Sequence, residues 1–281
     1  MTAASSAQRQ APETGPAAPI LTVENLVIEY RGDRSHRTRA VDGVSLDVRA
    51  GEIVGVVGES GSGKSTLGRT VAGFQQPASG RVLLPGPDGG LRPRAGTHGY
   101  RDVQMIFQES ASALDPRASV RRILREAFQP MPPIFRRHST EARETLTAQI
   151  HAALRRVELP EHYTGKRSSE LSGGEKQRVA IARALAAEPA LIVCDEAVAA
   201  LDVAVRAITL NLLAHLRAQT GIALLFISHD ISVVGHLADR IVVMHQGRVV
   251  ETGPVNDVLD NPQDDYTQRL IESVPRLELE S

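Results

Sequence analysis

The 281-residue chain has a single cysteine and four tyrosines, and no stretch of apolar residues approaches the roughly 18–20 needed to cross a bilayer. One cysteine, Cys194, excludes an internal disulfide and any cluster held by several thiolates. It stands in the apolar run Leu191–Cys194, so we read it as a small buried hydrophobe. The N-terminus lacks a basic segment followed by an apolar one, the pattern of a secretory signal. There is no excess of either charge: 32 Lys and Arg face 33 Asp and Glu. Composition therefore supplies no electrostatic argument for nucleic acid, and none is expected as a partner. What remains, 42% apolar and 23% charged residues, is ordinary for a globular protein with a substantial core.

Residues 1–19, rich in Ala, Ser, Pro, Thr and Gln, read as a disordered tail, with order beginning near Ile20. Residues 20–30 and 44–48 carry strand patterns, with a charged loop at Arg31–Arg39 between them. Ile53–Val57 is a short β-branched run, followed by a Gly-rich turn and a predicted helix over Ser65–Gly73. Leu191–Cys194, Ala223–Ile227 and Ile241–Met244 are further continuous apolar runs of strand length. Continuous rather than alternating character predicts strands covered on both faces, as in a parallel sheet. Between them, Val205, Ile208, Leu212 and Leu216 are expected along one face of a helix. From about Ser119 to Ser169 the chain shows helical pattern and loop, with no convincing strand. Gln129–Pro133 must interrupt any helix there. After Pro254 the sequence is polar, with short helical pieces. The fold class is α/β.

Gly58-Glu59-Ser60-Gly61-Ser62-Gly63-Lys64-Ser65 fits G-x-x-x-x-G-K-[ST] at every position. Backbone wrapped around phosphate oxygens needs inward N–H groups and close approach, which glycines permit. The helix that follows offers its N-terminal dipole. Lys64 supplies a point charge for the β and γ phosphates, and Ser65 a hydroxyl ligand for Mg²⁺. Asp195 and Glu196 end the apolar run Leu191–Cys194. A carboxylate there can reach Mg²⁺, and its neighbour can act as general base toward the attacking water. Asp195 and Glu196 take these roles in that order. Ser172 and Glu175 have capping-box spacing at a helix start, and Gly173 and Gly174 leave the first N–H groups uncovered, a second anion site.

Leu171-Ser172-Gly173-Gly174-Glu175-Lys176-Gln177-Arg178, just before the acidic run, resembles the signature of ABC ATPases, and the resemblance extends over nearly the whole ordered chain. It implies a P-loop NTPase fold with a mainly parallel core sheet, an N-terminal antiparallel β portion and an inserted helical subdomain. The expected limits are 20–270 for the ATPase domain, about 109–187 for the insert and 254–281 for a short C-terminal extension. Within the pattern, Tyr30 matches the aromatic residue that stacks on adenine. Gln108 matches the glutamine that senses the γ-phosphate and Mg²⁺. Asp202 lies in the loop that crosses the dimer, and His229 matches the switch histidine at the γ-phosphate. Thr66 joins Gly58–Ser65 among the nucleotide-binding residues. Ala197 and Ala199 depart from the family, which commonly has Pro and a small hydroxyl residue there. All residues expected to do the chemistry remain.

The resemblance implies that two subunits pair head to tail, each ATP lying between one phosphate loop and the other subunit's signature. Ala40–Ser45, Phe107–Pro116, Cys194-Asp195-Glu196 and Asn261-Pro262-Gln263 leading to Tyr266-Thr267 look like the peptide and nickel importer branch. That branch implies a second ATPase subunit, more often a paralogue than a copy, beneath two membrane-spanning permeases fed by a solute-binding protein, at the cytoplasmic face of the membrane. Some relatives hold an iron–sulfur cluster through C-terminal cysteines. This chain has none there, so no cluster is expected, only ATP and Mg²⁺. Soluble ABC subunits of carbon–phosphorus lyase complexes resemble the same branch and form the alternative.

Overall fold

The computed structural model describes residues 18–31, 37–86, 88–93, 102–108, 113–128, 140–199 and 201–273. The tail 1–17, the Pro-rich stretch Gln129–Pro133 and Ala200 lie outside them. Among these residues the chain runs β1 (Pro19–Arg31), β2 (Arg37–Arg49), β3 (Ile53–Val57), α1 (Lys64–Val71), β4 (Ser79–Pro85), β5 (Leu91–Pro93) and β6 (Val103–Ile106). Helices α2 (Val120–Phe128), α3 (Thr140–Arg156) and α4 (Gly173–Leu185) follow before β7 (Leu191–Asp195). The remainder is α5 (Val203–Thr220), β8 (Ala223–Ser228), α6 (Ile231–Leu237), β9 (Arg240–His245), β10 (Arg248–Pro254), α7 (Val255–Asp260) and α8 (Asp265–Glu272).

Two sheets result. One is antiparallel with order β2-β1-β4-β5, the other six-stranded with order β10-β9-β3-β8-β7-β6. In the second sheet only β10 runs antiparallel to its neighbour. The apolar runs of β3, β7 and β8 are buried at every position, and the period of two explains why. Val54, Val56, Val193, Leu225 and Ile227 face the antiparallel sheet and α1, packing on Leu21, Ile28 and Leu67. Ile53, Val57, Ile192, Cys194, Leu224 and Phe226 face the opposite helical layer. Each fully buried branched side chain contributes roughly 1.5–3 kcal/mol relative to exposure. Cys194 is fully buried, and burial pushes its thiol up to about 12, so it is an inert core residue.

Several local expectations are corrected. β2 begins at Arg37, so Arg37–Arg39 belong to a strand rather than to a charged loop. They pair with β1, where Glu29 bonds both arginines at 3.1 Å. Strands β4, β5, β6 and β10 were not anticipated. On α5 the buried face is Thr209, Leu212, Leu213 and Leu216, whereas Ile208 is 45% exposed. The first turns of α5 lie beside α4, where Val205 closes on Gly174.

Candidate functional site

The order β3-β8-β7-β6 and the parallel registers Val57↔Ser228, Asp195↔Ile227 and Ile106↔Cys194 bring four strand ends to one edge of the sheet. Gly58, His229, Glu196 and Gln108 follow those ends, though they are up to 171 residues apart in sequence, 229 minus 58. This is the carboxyl edge of a parallel sheet, where α/β proteins bind ligands. Gln108 is exposed there.

The Gly-rich loop runs from β3 into α1. Gly63 sits at φ 101°, and a Cβ on it would stand 2.2 Å from the Ala40 carbonyl oxygen. Only glycine fits that close passage beneath β2. No side chain caps α1, so its first N–H groups face the concavity. That concavity, about 280 Å³, is lined by Ala40, Ser60, Gly61, Gly63, Lys64, Ser65, Thr66 and Glu196. Lys64 is almost wholly buried, and its ammonium donates to the carbonyls of Gly58 and Glu59 at 2.7 Å and to Ser62 Oγ at 3.3 Å. Burial lowers its pKa, opposed by Glu196 and Asp195.

Ser65 Oγ donates to Asp195 Oδ1 at 2.7 Å. Burial raises the Asp195 carboxyl above its usual range, against the Ser65 hydrogen bond. A half-buried hydroxyl beside a buried carboxylate offers two hard oxygen donors. That fits Mg²⁺, which takes one or two protein oxygens beside phosphate and water. Among the described residues no group of three or more His, Cys, Asp or Glu side chains could hold a metal.

Glu196 adopts φ 48°, sparsely populated for a side chain of this size. Its N–H donates to the Ile227 carbonyl at 3.0 Å, which holds the turn, and its Oε2 lies 3.1 Å from His229 Nδ1. Tyr30 closes another side: its hydroxyl donates to Gln75 Oε1 at 2.8 Å and lies 3.3 Å from Thr66 Oγ1, while the residue stays 43% exposed.

The structure thus gathers Tyr30, Gly58–Thr66, Asp195, Glu196 and His229. Ser172, Gly173, Gly174 and Asp202 join the cavity through no hydrogen bond among the described residues. Ser172 caps α4, accepting from Glu175 N–H at 3.3 Å while Glu175 accepts from Ser172 N–H at 2.7 Å. Asp202 caps α5 through Val205 N–H at 3.0 Å. Ser172 and Gly173 are exposed, and a Cβ on Gly173 would meet nothing within 4 Å. The sequence reading missed Ala40, whose carbonyl walls the loop, and Gln75, which anchors Tyr30. Neither carries a local signal, because both act through contacts made in space.

The family described as ABC transporter matches residues 41–199. The chain is 44% identical over 241 residues to the oligopeptide transport ATP-binding protein OppF of Lactococcus lactis, covering 85% of this chain and 73% of that protein. It is 40% identical over 258 residues to a putative peptide import ATP-binding protein of Brucella ovis, covering 92% and 79%. Among solved structures, a dimeric ATP-binding cassette in a post-hydrolysis state, bound to ADP and Pi, aligns with a TM-score of 0.67 at 27% identity. The alignment covers 84% of this chain and 98% of that one. With the phosphate-loop geometry, the paired acids at the sheet edge and these similarities, the chain belongs to the ABC transporter family.

Proposed function

We propose that the chain is the ATP-hydrolysing subunit of an ABC importer for peptides, working as one half of an ATP-bridged pair. The observation that carries the chemistry is the convergence of Lys64, the Ser65–Asp195 pair and the Glu196–His229 pair on one cavity. Lys64 and the N–H groups opening α1 hold the phosphates, and Tyr30 offers its ring to the adenine. Ser65 and Asp195, with Gln108 at the rim, would hold Mg²⁺, which when bound would offset negative charge on the phosphates. Glu196 takes a proton from water as the water oxygen bonds to the γ-phosphorus. The bond to the bridging oxygen breaks, leaving ADP and phosphate. His229 orients Glu196 and donates toward the γ-phosphate oxygens.

Ser172, Gly173 and Gly174 stand outside the lining of their own subunit's phosphate-loop cavity, so they serve the nucleotide of a partner ATPase, and Asp202 lies on the same interface. An open cavity of about 570 Å³ supports docking of permease subunits at the cytoplasmic face of the membrane. Phe74, Met105, Phe107, Ile123 and Arg183 line it, and Phe107 directly precedes Gln108 in the chain. Phe74 is 56% exposed and meets Phe107 edge-on, with ring centroids 5.3 Å apart. No helix among the described residues is long and apolar enough to cross a membrane. The peptide cargo rests on the two curated relatives and on the branch resemblance.

The test is purification of tagged Glu196→Gln protein from detergent-solubilised membranes with ATP. Gln keeps the shape of the base but cannot take the proton. The variant is expected to hold ATP, hydrolyse very little and bring down two polytopic membrane proteins with a second ATPase subunit. Near-normal turnover would refute the role of Glu196. A soluble enzyme assembly without membrane proteins, as in carbon–phosphorus lyase complexes, would overturn the transport reading.

A further inference from the structure

One peptide unit of the phosphate loop is held from both ends. The Gly58 carbonyl accepts from Lys64 Nζ at 2.7 Å, and the Glu59 N–H of the same unit donates to the Tyr266 hydroxyl at 2.8 Å. In a trans peptide the C=O and N–H point in opposite directions, so tethering one aims the other. Gly58 itself, at φ 149°, imposes little torsional preference on that plane, so orientation must come from outside. The tyrosine lies 207 residues away in sequence from Glu59, on α8. It is 5% exposed, and its ring stacks on His245 of β9 with centroids 3.9 Å apart and planes 28° apart. The start of α8 is set firmly. Asp264 accepts from Tyr266 N–H at 2.8 Å, and Glu251 of β10 accepts from the N–H groups of Gln263 and Asp264 at 2.9 and 3.1 Å. Burial also raises the pKa of the Tyr266 phenol, which keeps the hydroxyl neutral at physiological pH.

We propose that Tyr266 is a positioning residue for ATP binding: its hydroxyl orients the Gly58–Glu59 peptide and, through that carbonyl, the Lys64 ammonium. The C-terminal helices thereby take part in forming the nucleotide cradle, although no atom of α8 is expected to touch the nucleotide. This rests on the reading of Lys64 as a phosphate ligand.

The test measures binding of a fluorescent N-methylanthraniloyl-ATP probe to the full chain, with steady-state kinetics of the assembled complex beside it. Tyr266→Phe keeps the ring on His245 and removes only the hydroxyl. The expected result is an unchanged melting temperature without nucleotide, a rise in Kd and KM of about threefold to tenfold, and kcat within about twofold. Thr267→Val on the same helix, where the buried hydroxyl finds no partner, is expected to leave KM unchanged. Unaltered Kd and KM in Tyr266→Phe would overturn the proposal, as would an equal rise in Thr267→Val, which would point to a general effect of α8. Lys64→Ala is expected to abolish probe binding; if it binds normally, the cradle reading itself falls. Amide exchange of the wild-type chain gives an independent reading. Glu59 N–H is expected to be protected without nucleotide, and exchange at the rate of an unstructured amide would also overturn the role.

Discussion

Replacing Gly173 by alanine separates the needs of the fold from those of the partner-facing surface. Gly173 is the first residue of α4, it is exposed, it has no positive φ, and an added Cβ meets nothing within 4 Å. Within one subunit the change is therefore free of strain. It restricts the unfolded chain and suits a helix, which stabilises by about 0.4–1 kcal/mol. At roughly 2–4 °C per kcal/mol for a domain of this size, the melting temperature should stay level or rise by up to about 4 °C. Across the proposed pair the methyl is not free. A backbone N–H reaches a phosphate oxygen at about 2.9 Å, whereas a carbon needs roughly 3.5 Å from its neighbours. Losing one such hydrogen bond to a charged group costs about 1.5–3 kcal/mol, so ATP turnover of the assembled complex should fall roughly tenfold to a hundredfold. Melting of the nucleotide-free chain and phosphate release by the complex are measured side by side. Gly174→Ala is the contrast, because its Cβ would lie 2.7 Å from Val205 Cγ1 and must lower stability as well. A Gly173→Ala complex with wild-type turnover would refute the assignment of this face to a partner's nucleotide, and a marked loss of stability would refute the geometry of α4.

Gly63→Ala must place a Cβ 2.2 Å from the Ala40 carbonyl in a left-handed backbone, so urea unfolding should show a loss of about 2–4 kcal/mol together with lost ATP binding. An unshifted midpoint would contradict the loop packing. Asp195→Asn is expected to abolish Mg²⁺-dependent hydrolysis yet stabilise the nucleotide-free chain at pH 7. The folded carboxyl has a raised pKa, so the wild type loses stability as pH climbs from the unfolded value of 3.8 through the folded one, and bears the full cost above it. The stability gap between variant and wild type should therefore shrink as pH falls toward 4; a gap that widens would reverse the sign of this reasoning.

The parts of the site legible in the sequence were those whose chemistry demands a local pattern. The loop Gly58–Ser65, the acids Asp195 and Glu196 after a buried run, and the capping box Ser172–Glu175 each follow from backbone constraints within a few residues. β4 and β10 were missed because most of their residues are exposed or half-covered and leave no apolar run, and β5 and β6 because three and four residues are too few to show a pattern; pairing makes them strands. The face of α5 was misjudged at Ile208 because periodicity reports an apolar stripe but not how far along it the neighbouring layer extends.

The sequence by itself determined that a nucleotide cradle exists and which residue types serve it, since phosphate oxygens require glycines, a lysine and a hydroxyl at set intervals. Only the tertiary structure decided that β3, β8, β7 and β6 lie side by side with their carboxyl ends level, which turns scattered side chains into one cavity. It alone decided that Ala40 would wall the loop, Gln75 hold Tyr30, and Tyr266 reach back to Glu59. Contacts over such separations depend on strand order and register, and those are set by packing two apolar faces of one sheet against different layers.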